Sequence, residues 1–174
     1  MSDKNTISTK QLGISGILLA LTVLTLAAAT FVPTNRLSLY ALSSFYISII
    51  IMEYGIKSGW VFYLASCLTA LILVPGKLGL IPYVMFFGIY GIAKYYIEKL
   101  GKITLEYILK LLFFNLFAVT AVFFLKQFLP QVFEVGFPFW LVLLGLEVVF
   151  VIYDYVYSLF IQYYINKLKR ILKI

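Results

Sequence analysis

From Leu12 to Ile165 the chain is a succession of apolar runs, each close to the length that crosses a bilayer, parted by breaks of a few residues. No other feature constrains the fold as much. About 20 helical residues rising roughly 1.5 Å each match a hydrocarbon core of about 30 Å. In lipid only helices and closed barrels satisfy their own backbone. The runs predict spans over residues 12–32, 37–54, 60–74, 78–97, 105–129 and 137–165, and the breaks "PTNR", "EYGIKSG" and "PGKLG" carry the expected turn residues. The alternative for the second and third runs is a single re-entrant hairpin. The first run exceeds the roughly 7–15 apolar residues of a signal peptide, so a retained span is expected, although "LAAATFV" offers small residues for cleavage.

Composition agrees. The chain is 63% hydrophobic and 12% charged with mean hydropathy +1.03, whereas a soluble domain is about half apolar and a quarter charged. The expected fold class is an all-α integral membrane protein, a six-transmembrane-helix bundle forming one membrane domain over residues 1–174. Histidine is absent and Cys67 is the only cysteine, so neither a metal site, a cofactor nor an internal disulfide is expected. The net charge of +7 is read as loop lysines beside an anionic leaflet, not as a nucleic-acid surface.

Those cations orient the chain. With the N-terminus inside, Lys4, Lys10, Lys57, Lys94, Lys99, Lys102, Lys110, Lys167, Lys169, Arg170 and Lys173 fall on the cytoplasmic side, against Arg36, Lys77 and Lys126 outside. Eleven against three is a positive-inside bias that puts both termini in the cytoplasm.

Two carboxylates then stand out in "FWLVLLGLEVVFVIYDYVYSLFIQYY". Glu147 lies about ten residues into the last span, roughly 15 Å deep, and Asp154 about 10 Å deeper. Trp140 precedes Glu147 by seven residues, so the three share one helix stripe, expected to face the bundle interior because ionisable groups are costly against lipid. Lys94 and Lys110 are expected within reach of Asp154 as a structural ion pair. Glu147 has no cation at its own depth, which leaves it protonated or hydrogen-bonded to Asn115. It is the stronger functional candidate.

Gly13, Gly16, Ala20 and Ala27 form a small-residue face on the first span. Such faces allow close helix approach in lipid, either within the chain or against a partner. In the outer loop "VPTNRLSLY", Arg36 can grip a carboxylate or phosphate bidentately, with Thr34 and Asn35 as further polar groups. The alternative is ordinary interfacial anchoring. The sequence carries no Walker A, GxSxG or HExxH motif and no Cys/His cluster, so an enzyme is not expected.

A basic six-span chain of this length resembles the substrate-binding S components of energy-coupling factor (ECF) transporters. The first helix "GISGILLALTVLTLAAA" is similar to the one those proteins use against a transmembrane coupling subunit. The stretch "EYGIKSGWVFYLASCLTALIL" resembles their Gly-x-x-x-Gly connection, here Gly55 and Gly59. The resemblance implies an outward pocket for a small organic, vitamin-like solute, drawing on Asn35, Arg36, Tyr83, Asn115, Trp140 and Glu147. It also implies a coupling subunit and separate cytoplasmic ATPases as partners, in a prokaryotic plasma membrane. Two alternatives stay open: a proton-coupled transporter or flippase of lipid-linked substrates, and a non-transporting scaffold similar to the rod-shape-determining MreD proteins.

Overall fold

The computed structural model describes residues 9–128 and 139–168, and these are helical apart from short connections, with no strand. Among the described residues five helices are long and apolar enough to cross a membrane: Thr9–Phe31, Arg36–Leu73, Lys77–Glu98, Ile103–Phe123 and Leu143–Lys167. The expected second and third spans form one continuous element between Arg36 and Leu73. The end expected at residue 129 and the start expected at residue 137 lie outside the described residues. The chain divides into two compact units, up to Ala93 and from Lys94, described in turn.

In the first unit, α1 (Thr9–Phe31) leads through a 3₁₀ turn at Pro33–Asn35 into α2 (Arg36–Leu73). At Gly55 the backbone of α2 is not helical, with φ 82° and ψ 171°. That combination is open essentially to glycine alone. The helix doubles back there. Ile51 and Gly59 touch across the bend, and Arg36 near one end shares a cavity with Gly76 beyond the other. Burial on the second arm follows Gly59, Phe62, Tyr63, Ser66 and Ala70, the 3–4 spacing of one helix face. The first arm buries Ser43, Ser44, Ile47, Ser48 and Ile51. Ser43 and Ser44 return their hydroxyls to the carbonyls of Tyr40 and Ala41, as Thr22 and Thr25 of α1 do to Leu18 and Leu21. Small hydroxyl side chains satisfied on their own helix can enter an apolar interface without an orphaned donor.

Beyond α2, Gly76 adopts φ 75° and opens a 3₁₀ turn at Lys77–Leu80. Pro82 has no N–H to give its helix, and a π-helical turn follows at Tyr83–Phe87 before α3 (Gly88–Glu98). The wider π turn is held by the second arm of α2. The Tyr63 hydroxyl donates to the Val84 carbonyl at 2.6 Å, and Ser66 Oγ meets the Tyr83 hydroxyl at 2.8 Å. Gly88 leaves room for the Tyr63 ring, since a Cβ there would stand 2.8 Å from Tyr63 Cε2.

The second unit begins with the last turns of α3, which ends at Gly101 with φ 66°. Its N–H closes on the Glu98 carbonyl, a left-handed glycine stop. Helices α4 (Ile103–Phe128) and α5 (Phe139–Tyr163) follow, with a π turn at Tyr164–Leu168. Residues 110, 114 and 115 of α4 meet 154, 150 and 147 of α5, so the two run antiparallel.

The exposed surface of the described helices is largely apolar, which is compatible with a multi-pass membrane protein. On α4 Leu105, Ile108, Leu112, Leu116, Val119 and Phe123 form an exposed 3–4 stripe, with Ile103 and Tyr107 exposed beside it, while Lys110, Phe114 and Ala118 are buried. A helix on a water-soluble protein shows the opposite order. The apolar stripe outside and the lysine inside are what a hydrocarbon surround selects.

Candidate functional site

Three buried ionic side chains converge in the second unit: Lys94 (1% exposed), Lys110 (6%) and Asp154 (8%). Lys94 Nζ donates to Asp154 Oδ1, to Ser158 Oγ at 2.9 Å and to Glu98 Oε1 at 2.8 Å. Lys110 Nζ donates to Asp154 Oδ2 at 3.1 Å and to the same Glu98 oxygen at 2.8 Å. Each lysine thus touches both carboxylates and each carboxylate both lysines. The ring is electrically neutral, the arrangement that buried charge requires. Lys94 also lies 5.7 Å from the centre of the Tyr157 ring. Three helices are tied by this ring: α3 through Lys94 and Glu98, α4 through Lys110, and α5 through Asp154 and Ser158.

Sequence reasoning named Asp154, Lys94 and Lys110 but missed Glu98. Its signal was legible, because Lys94 and Glu98 are spaced i, i+4 on one helix face. Glu98 is also the group through which the ring reaches the outside, its side chain being 38% exposed.

Along the same α4–α5 seam the next layer is aromatic. Phe114 and Phe150 are buried and stacked, ring centres 4.6 Å apart and planes within 11°. Beyond them Asn115 Nδ2 donates to Glu147 Oε1 at 3.2 Å and to the Leu111 carbonyl at 3.0 Å. Both amide hydrogens of Asn115 are therefore committed, and Glu147 is held by a fixed neutral donor. The aromatic layer parts Glu147 from the charged ring, which lies about two helical turns, roughly 10 Å, further along α5. Among the described residues no metal-ligand cluster forms.

A second site lies in the first unit, where the end of α1, the start of α2 and the turn after α2 come together. Ala29, Thr30, Arg36, Tyr40 and the segment 76–79 line a cavity of about 390 Å³. The Tyr40 hydroxyl donates to the Gly79 carbonyl and the Thr30 hydroxyl to the Ala27 carbonyl at 2.7 Å, so both lining hydroxyls are engaged with backbone. Arg36 and Lys77 are exposed at the cavity and, among the described residues, make no ion pair. Lys77 and Tyr40 were not singled out by the sequence. Lys77 reaches Arg36 only through the doubling-back of α2, whereas Tyr40 is its i, i+4 neighbour on the first arm.

The remaining expected site residues fall elsewhere. Asn35 stands before α2 without a capping bond from its side chain and is not among the residues lining the cavity. Tyr83 is fully buried and engaged with Ser66. It does not join Arg36, because the π turn aims it at the second arm of α2. Trp140 lies on α5, but its side chain is outside the described residues. Gly13, Gly16 and Ala20 are exposed and Ala27 is half-buried. Cβ atoms built at Gly13 and Gly16 meet nothing within 4 Å, so among the described residues those glycines take no part in close packing. The packing face of α1 is instead Thr22, Thr25, Leu26 and Ala29. No protein family, characterised protein or solved structure matches the chain.

Proposed function

We propose that this protein is a membrane-embedded substrate-binding subunit of an uptake transporter that captures a small organic solute from outside. The observation that carries the reading is the cavity at Arg36, a concave site whose two cations have no acidic partner among the described residues. Its exposure to the outside follows from topology. The arms of α2, residues 36–54 and 56–73, are each about 27–28 Å long at roughly 1.5 Å per residue, which suits two spans hinged at Gly55. Read as two separate spans, and with the positive-inside bias of the sequence, they support a six-span reading with both termini cytoplasmic and the cavity facing outward. The resemblance to ECF S components supplies the partners, a transmembrane coupling subunit and cytoplasmic ATPases, with this chain contributing capture and specificity.

The test is native mass spectrometry of the purified protein for a co-purified solute, followed by uptake of that solute in cells. Retention of the solute by the wild type and its loss in Arg36→Gln support the reading. Absence of any retained solute, with uptake unchanged on deletion, sinks it.

A second reading, a proton-coupled transporter or flippase, is favoured by one observation. Glu147 sits inside a span against a neutral partner, Asn115, the setting in which intramembrane carboxylates serve as proton sites. Proton flux into liposomes holding this chain alone would select it over the first.

A further inference from the structure

The cavity at the head of α2 carries a chemical signature beyond its shape. Arg36 and Lys77 come from opposite ends of the α2 hairpin, 41 positions apart, and both line the same 390 Å³ space. Within the first unit the described residues include a single carboxylate, Glu53, two residues before the Gly55 bend and so at the far end of both arms. Among the described residues of their own unit, the two cations therefore have no carboxylate beside them to neutralise them. The other polar side chains in the wall, Tyr40 and Thr30, direct their hydroxyl protons to backbone carbonyls. The side-chain donors left for an occupant are the guanidinium and the ammonium. Gly76 and Gly79 add no side chain, and a Cβ at either would come within 4 Å of Thr30 or Tyr40, so substitution there would narrow the floor.

We infer that this cavity is an oxyanion site, taking a carboxylate or phosphate group between Arg36 and Lys77. Arginine supplies a planar fork that fits two oxygens of such a group, and lysine a point charge on the other side. The identification of that group as part of the transported solute rests on the solute-binding reading above. The same chemistry is offered by an anionic lipid headgroup, and the experiment separates the two sources.

Thermal melting of the full chain in neutral detergent is followed against inorganic phosphate at constant ionic strength, with chloride as the reference salt. The same measurement is made in nanodiscs of phosphatidylglycerol and of phosphatidylcholine. A saturable stabilisation by phosphate is expected. Arg36→Gln should weaken it about tenfold to a hundredfold, the loss of a charge-assisted hydrogen bond, and Arg36→Lys should fall between. Lys77→Gln should weaken it as well, and it tests the site independently should Arg36→Gln fail to fold. Lys57→Gln, beyond the Gly55 bend, should leave it intact. Stabilisation by phosphatidylglycerol but not by free phosphate, lost in the same variants, keeps the oxyanion site and assigns it to lipid. No response to either source, or equal loss in Lys57→Gln, overturns it. The two readings fail separately. A neutral solute bound equally by Arg36→Gln sinks the oxyanion site and leaves solute capture standing. Phosphate binding without any uptake defect does the reverse.

Discussion

Ile51 packs directly on Gly59: a Cβ at Gly59 would stand 2.5 Å from Ile51 Cγ1. On a straight helix residues eight apart are separated by about 12 Å. The contact exists because Gly55 turns the helix back on itself, and it brings Arg36 and Lys77 to one cavity.

The two glycines should therefore fail in different ways. Gly55→Ala puts a side chain at φ 82° and should cost about 1–3 kcal/mol through backbone strain. Gly59→Ala drives its Cβ onto Ile51 Cγ1, beside the branch of a stiff side chain, an overpacking of about 1–3 kcal/mol. Melting in detergent should show that Ile51→Ala recovers most of the Gly59→Ala loss and none of the Gly55→Ala loss. Equal rescue of both would mean that the bend is not set by Gly55.

Asp154→Asn removes the only group that touches both Lys94 and Lys110 from α5. Glu98 alone then balances two buried cations. Breaking a buried pair in this way costs about 3–5 kcal/mol, and a melting shift of that order is expected. Adding Lys110→Met restores charge balance, with Lys94 and Glu98 still paired, and should recover part of the loss. A double variant less stable than Asp154→Asn would show that Lys110 is held by packing and not by charge.

Much of this was legible in the sequence. Run lengths and breaks locate the helices to within a few residues, because a bilayer fixes length and glycine marks the bends. Asp154, Lys94 and Lys110 were found because buried charge must be paired. Tyr83, grouped with Arg36 by the resemblance to ECF S components, is buried against Ser66 instead of lining the cavity. Its direction depends on a π turn, which shifts every later side chain about the helix axis and leaves no periodic signature. Lys77 was missed for a related reason. Its approach to Arg36 follows from α2 folding back, a long-range consequence of one glycine. The small face of α1 shows the limit of pattern alone, since threonines at 22 and 25 pack where glycines at 13 and 16 do not.

The Tyr83 pairing can be measured. Tyr83→Phe leaves Ser66 Oγ its bond to the Tyr63 carbonyl, so the loss should be about 1 kcal/mol, a single neutral hydrogen bond. Tyr63→Phe strips the Val84 carbonyl of its side-chain donor inside the π turn and should cost about 1–3 kcal/mol. Solute or phosphate binding should be unchanged in Tyr83→Phe. Lost binding there would return Tyr83 to the site.

Topology is open to direct labelling. Cysteines placed at Thr34 should react with an impermeant maleimide in intact cells once Cys67 is replaced by serine, while those at Lys57 and Lys102 should react only after lysis. External reaction at Lys57 would sink the assignment of the two α2 arms to separate spans.

Glu147 separates structure from function most sharply. Glu147→Gln keeps the carbonyl oxygen that accepts from Asn115 Nδ2 and changes neither the volume nor the stacked Phe114–Phe150 layer beside it. Its melting temperature should stay close to that of the wild type. Asn115→Leu, by contrast, leaves the carboxylate without its donor among apolar neighbours and should cost about 1–3 kcal/mol. If the carboxylate works in transport, the Gln variant should lose most solute uptake or proton flux while remaining folded, and Glu147→Asp should retain part of it. Normal uptake in Glu147→Gln would reduce Glu147 to an acceptor for Asn115, and the α4–α5 seam to a structural device.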